Sequence, residues 1–152
     1  MRLALYQPDI AGNTGTIIRL ATCFGVPVDI IEPCGFPFSE RQLKRSAMDY
    51  AKAARIERRA NFDEFMAAMR GNGHRIVLLT SKGGTRLPDA EFRSDDVLLM
   101  GSEGAGVPDH VHEQAALCVR IPMQAGFRSL NIAVSAGIAL GEALRQTGLY
   151  PR

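Results

Sequence analysis

Residues 2–7 alternate and then run apolar in the manner of a strand. After the turn-rich residues 8–15, Ile17, Ile18, Ala21 and Phe24 recur at helical spacing, so the chain opens as strand, loop and helix. A second short strand is predicted at residues 28–31, closed by Pro33 and Gly35. Ser39, with Gln42 three positions on, has the form of a capping box at the start of a basic helix. A third strand is expected around residues 55–58. Asn61 followed by Glu64 caps a further helix that carries Phe62, Phe65, Met66 and Met69, and Gly71 with Gly73 ends it. Residues 76–80 and 97–100 are short, almost uninterrupted apolar runs, as in strands covered on both faces.

Such strands alternating with helices predict an α/β fold, a mainly parallel sheet with helices on both faces, forming one domain over residues 1–152. Sites in such sheets lie beyond the carboxyl ends of the strands, which draws attention to loops 8–15, 80–88, 101–108 and 122–129. The last helix is expected over about 129–146. It is apolar around more than one face and rich in small residues, among them Ala133, Ser135, Ala136, Gly137, Ala139, Gly141 and Ala143, so it is expected to be buried. Tight packing within the chain and a subunit interface both satisfy that pattern.

With 46% apolar residues in 152, the chain has enough material for a single core. Cys23, Cys34 and Cys118 are odd in number and far apart, against a disulfide framework or a zinc knuckle. No export signal is evident at the start, and the longest apolar stretch, 130–140, is too short to span a bilayer, so a cytoplasmic protein without membrane association is expected. Charge changes the picture more. Between Arg41 and Arg59 stand seven basic residues against Asp49 and Glu57, a surplus of five in a chain of net charge +2. The stretch is either a phosphate-binding surface or a solvated basic face.

Gly101-Ser102-Glu103-Gly104-Ala105-Gly106-Val107-Pro108 directly follows a predicted buried strand. Its glycines permit close backbone approach to a ligand. The spacing is not a dinucleotide fingerprint, which belongs in the first strand-to-helix turn, and no phosphate-binding G-x-x-x-x-G-K-[ST] is present. Taken alone, the segment reads first as an ordinary tight turn. His110 and His112 follow Asp109 without a third and fourth ligand at useful spacing, so no metal is expected.

Three stretches in order carry more weight: residues 13–19 (NTGTIIR), 99–108 (LMGSEGAGVP), and 121–123 (IPM) followed by 129–135 (SLNIAVS). Together they resemble the three motifs of the SPOUT RNA 2′-O-ribose methyltransferases. Residues 31–36, the KRSAMDY stretch at 44–50 and TSKG at 80–83 resemble the minimal subfamily of tRNA (cytidine/uridine-34-2′-O)-methyltransferases of TrmL type, which carry no appended RNA-binding domain. The resemblance implies a C-terminal trefoil knot, which general rules of chain threading would not anticipate. It also implies S-adenosyl-L-methionine as cofactor, the anticodon stem-loop of tRNA as partner, and a homodimer. The same chemistry on another tRNA or rRNA position, and an RNA-binding dimer without catalysis, are the alternatives.

On the family pattern Leu79, Gly101, Ile121, Met123, Ser129 and Leu130 would line the cofactor site; within the basic stretch, Arg41, Lys44, Arg45 and Tyr50 are the candidate RNA contacts. Arg19 of one subunit reaches towards the cofactor of the other. A guanidinium stays protonated in proteins, so Arg19 is read as a clamp that positions the ribose rather than as a base. Glu103 is a chemically easier base, and it suits equally a structural role capping nearby N–H groups. Asn13, Ser129 and Asn131 are candidate orienting partners, with Asn13 alternatively the N-cap of its helix.

Overall fold

The computed structural model describes residues 1–39, 41, 50 and 52–152. Seven parallel strands form one sheet: β1 (Arg2–Tyr6), β2 (Val28–Ile31), β3 (Ile56–Arg59), β4 (Arg75–Leu79), β5 (Thr85–Arg86), β6 (Asp96–Met100) and β7 (Leu117–Arg120), in the order β3-β2-β1-β6-β4-β7-β5. Among the described residues the α-helices are α1 (Ala11–Cys23), α2 (Phe62–Gly71), α3 (Asp109–Gln114) and α4 (Ile132–Thr147).

The central strands are apolar along their length because both faces are covered. Alternate residues such as Leu3, Leu5, Val77, Leu98 and Met100 pack with Ile17, Ile18, Ala136, Leu140 and Leu144 of α1 and α4. Their neighbours Ala4, Tyr6, Leu78, Val97 and Leu99 pack against Phe62, Phe65, Met66 and Met69 of α2 and Val111 of α3. The helix predicted after Asn61 is confirmed with its cap: Asn61 Oδ1 accepts from the Glu64 amide at 2.8 Å, and Glu64 Oε2 accepts from the Ala60 amide at 2.9 Å.

Three expectations change. The last helix begins at Ile132 with Asn131 as N-cap, so Ser129 and Leu130 belong to the preceding loop. That helix is not buried all round: Ala136, Ala139, Leu140, Ala143 and Leu144 face the core, but Val134 and Ile138 are 51% and 42% exposed. Of the expected capping box, Gln42 lies outside the described residues, and so does the basic helix after it over residues 42–49.

The basic stretch also divides. Asp29 is fully buried in β2 and accepts from Arg2 at 2.7 Å and Arg59 at 2.9 Å. Arg58 pairs with Glu32, and Arg55 donates to the Gly25 carbonyl. Arg55, Arg58 and Arg59 thus brace the β2–β3 edge rather than stand as bare positive charge, and Arg59 with Arg2 answers a buried carboxylate that would be costly without partners. Similarly, Arg75 makes a two-pronged contact, 2.6 and 2.7 Å, with the buried Asp96.

Candidate active site

The strand order turns back at β1 and β6, and the loops beyond the carboxyl ends of β1, β6, β4 and β7 enclose a cavity of about 530 Å³. Its wall is formed by Ile10 and Asn13 at the start of α1, by residues 79–82, by residues 101–107, by Ile121 and Met123, and by residues 129–132 leading into α4.

Glycine is required where these loops touch. A Cβ on Gly101 would stand 2.8 Å from the Gly106 carbonyl carbon, and one on Gly83 would stand 2.6 Å from that of Val119. The Gly101 loop is fastened by Ser102 and Gly106, whose amides each donate to the other's carbonyl at 2.9 Å. Gly106 holds φ +66°, a left-handed conformation that glycine adopts without strain. Backbone therefore lines this side of the cavity, as the three glycines predicted.

One hydrogen-bonded chain crosses three of the loops. The Asp9 amide donates to Glu103 Oε2 at 2.8 Å, and the Gly104 amide donates to Asp9 Oδ2 at 3.1 Å. Asn13 Nδ2 donates to Glu103 Oε1 at 3.4 Å, and Asn131 Nδ2 donates to Asn13 Oδ1 at 3.0 Å. Asn131 Oδ1 caps α4, accepting from the amides of Ala133 at 2.8 Å and Val134 at 3.4 Å. The cap dictates the direction of the whole chain. With its oxygen on α4, Asn131 must turn its NH2 to Asn13, which must then turn its own NH2 to the carboxylate.

All six residues expected around the cofactor, Leu79, Gly101, Ile121, Met123, Ser129 and Leu130, line this cavity, and Asn13, Glu103 and Asn131 join them. Asn13 is not an N-cap: Ile10 holds that position, and Asn13 lies inside α1 with its side chain in the loop-crossing chain. Both Glu103 oxygens are occupied, one by a backbone amide, which favours the structural half of its two readings.

Arg19 does not line the cavity. Six residues beyond Asn13 on one helix places it ~9 Å along the axis and roughly 120° away around it. Its guanidinium lies 4.9 Å from the centre of the Tyr50 ring. That contact joins two residues that the sequence reading assigned separately, to catalysis and to RNA. Arg41 is exposed, and Lys44 and Arg45 lie outside the described residues. Among the described residues no group of three His, Cys, Asp or Glu is placed to hold a metal; His112 borders the cavity and His110 meets the Phe62 ring edge-on. No helix of the described residues is long and apolar enough to cross a membrane.

Asp9 was not anticipated. It is an acidic residue in a turn-rich loop, and its partner Gly104 is 95 positions away, so no local pattern marks it.

A solved structure described as giving structural insights into the 2-OH methylation of C/U34 on tRNA is similar to the chain, with a TM-score of 0.90 and 38% identity over 95% of this chain and 94% of that one. An AdoMet-bound rRNA methyltransferase from Sinorhizobium meliloti gives a TM-score of 0.86 at 34% identity, covering 95% of this chain and 55% of the other. A curated tRNA (cytidine(34)-2'-O)-methyltransferase of Beijerinckia indica subsp. indica is 51% identical over 146 residues, 96% of this chain and 91% of that protein. The model of the SpoU rRNA Methylase family matches residues 1–141, and with that match over nearly the whole sequence the chain belongs to this family.

Proposed function

We propose that this chain transfers a methyl group from S-adenosylmethionine to the ribose 2′-hydroxyl of the wobble nucleotide of tRNA, cytidine or uridine at position 34. The observation that carries this reading is the 51% identity, along 96% of the chain, to a relative named for that reaction. The site suits it. Leu79, Ile121, Met123 and Leu130 offer apolar contact to an adenine ring, and the closely folded Gly101–Gly106 backbone offers N–H and C=O groups to the polar edges.

When bound, S-adenosylmethionine supplies an electrophilic methyl on a sulfonium centre. The protein's task is to bring the hydroxyl oxygen to that carbon while the hydroxyl proton leaves, and holding the two centres together lowers the barrier by several kcal/mol. Asn13, Glu103 and Asn131 fix the relative position of the loops that do this, and Ser129 stands beside them as an orienting hydroxyl. Arg19, outside its own chain's cavity, is the clamp for the ribose and its phosphate in a second subunit.

A homodimer is part of the same proposal. The outer face of α4, with Val134 and Ile138, continues into exposed Leu149 and Tyr150, and a second copy would cover it. So is the trefoil threading, supported by the Gly83 loop lying against the β7 backbone and by Gln146 of α4 hydrogen-bonding to Ala90 and Phe92. A single cytoplasmic methyltransferase domain over residues 1–152 completes the reading. Mass spectrometry of nuclease fragments and nucleosides from tRNA incubated with the protein and labelled cofactor tests it: label in 2′-O-methylcytidine or 2′-O-methyluridine, mapped to position 34 by the fragment that carries it, supports the proposal. Label only at another position assigns the same chemistry to a different substrate.

A further inference from the structure

Phe127 is 72% exposed, whereas the other exposed large apolar side chains among the described residues lie between 37% and 51%. Val134 and Ile138 share one helix face, but Phe127 stands on a loop beside exposed Gln124 and Arg128. Its presentation is built into the backbone. The Phe127 amide donates to the Gln124 carbonyl at 3.4 Å around a four-residue turn, with Gly126 third at φ +94°, as a type II turn requires. The turn leads directly into Ser129, Leu130 and Asn131 of the cavity wall, and Met123 on its other side also lines the cavity. Two residues of chain span at most ~7 Å, so the Phe127 backbone lies close to the cavity wall at Ser129, with its ring exposed.

We propose that Phe127 is the stacking platform for the pyrimidine base of the nucleotide being methylated. The inference rests on the reading of the chain as a wobble-nucleotide methyltransferase. A 2′-hydroxyl delivered into the cavity carries its base on the adjoining sugar carbon, and that base must lie outside the cofactor's apolar floor, near the mouth. Bases of single-stranded loops are captured by splaying them onto aromatic faces, and Arg128 next to the ring adds a cation for the polyanionic partner. Stacking does not read hydrogen-bonding edges, so one ring accepts cytidine and uridine alike.

The test uses tRNA ligated from synthetic halves, with either the normal base or no base on the position 34 ribose, and compares the wild-type protein with Phe127→Ala and Phe127→Trp. Phe127→Ala is expected to lower kcat/KM on normal tRNA about 10-fold, with S-adenosylmethionine binding by calorimetry and oligomeric mass by light scattering unchanged. Phe127→Trp retains activity. The wild-type protein loses a similar factor on the baseless tRNA, while Phe127→Ala loses little more, because ring and base act as one interaction. Full activity of Phe127→Ala, or losses that simply multiply, would overturn the proposal. A change in oligomeric mass would overturn it too, by assigning Phe127 to a contact between subunits. If the wild-type protein left normal tRNA unmethylated, the functional reading itself would fall and this inference with it.

Discussion

Asp9 and Glu103 grip each other's loops: the Asp9 amide donates to the Glu103 carboxylate at 2.8 Å, and the Asp9 carboxylate receives the Gly104 amide at 3.1 Å. This reciprocal pair sets the Gly101–Gly106 loop against the start of α1.

Because Asn131 dictates the direction of the chain, Glu103→Gln is not a neutral probe of a catalytic base. A glutamine can accept from either the Asp9 amide or Asn13 Nδ2, and its own NH2 then opposes the other donor. The expected cost is about 1 kcal/mol of stability with weakened S-adenosylmethionine binding. Thermal denaturation and calorimetry check this. Unchanged stability and cofactor affinity alongside a large fall in kcat would return Glu103 to the role of base.

Arg19→Ala should keep the fold and bind S-adenosylmethionine normally while methyl transfer falls by orders of magnitude, since near-attack geometry is lost. Arg19→Lys should rescue poorly, because an ammonium does not reproduce the planar fork. The ring beneath it predicts a graded companion. Tyr50→Phe should retain turnover and Tyr50→Leu should lose up to about fivefold, the worth of an exposed cation–π contact of ~0.5–1 kcal/mol. Single-turnover methylation distinguishes these outcomes, and equal turnover in Tyr50→Leu would separate the contact from catalysis.

Light scattering at micromolar concentration is expected to return twice the chain mass. A Cβ at Gly137 meets only the Leu20 methyl, at an ordinary 3.9 Å, so no backbone within the chain closes on this position. A leucine there should weaken association by about 1–3 kcal/mol through overpacking between subunits. Ile138→Glu should do the same by burying a charge. A one-chain mass for the wild-type protein would remove the dimer, and undiminished association in both variants would move the interface elsewhere.

Arg41, Lys44 and Arg45 are expected to contact phosphates. Replacing any one by Ala should raise KM for tRNA and reduce the log-log salt slope by roughly 0.7–0.9. Arg59→Ala should behave differently, leaving the slope intact but lowering stability by about 1–3 kcal/mol, because it withdraws a partner from buried Asp29. A salt titration of tRNA binding combined with thermal melts tells the two groups apart.

Burial pushes the Cys34 thiol up to about 11, with the Glu32 carboxylate adding to the shift. At pH 8 its reactive thiolate is scarce, so iodoacetamide should label exposed Cys23 well before Cys34. Labelling of Cys34 should accelerate as pH rises towards that value. Peptide mass spectrometry after a timed pulse provides the measurement, and faster labelling of Cys34 at pH 8 would contradict its burial.

Local pattern was enough where one short segment sets its own structure. The apolar runs at 76–80 and 97–100 marked β4 and β6 because a strand covered on both faces needs no polar alternation, and Asn61 with Glu64 marked the start of α2 because the cap lies within four residues. Of the glycines at 101, 104 and 106, the first and last meet backbone to backbone while Gly104 has only an ordinary contact, and the cavity residues were legible through the family resemblance. β5 and β7 escaped notice: β5 is two residues long and β7 is only partly buried, so neither carries a strong pattern. Asp9, the division of the basic stretch and the exposed outer face of α4 were decided by tertiary structure alone. Each depends on a partner or its absence in space: Gly104 lies 95 positions from Asp9, Asp29 lies 30 from Arg59, and the sheet covers just one side of α4. Charge and hydropathy mark a residue as able to pair or to be buried, and only the fold determines which neighbours answer it.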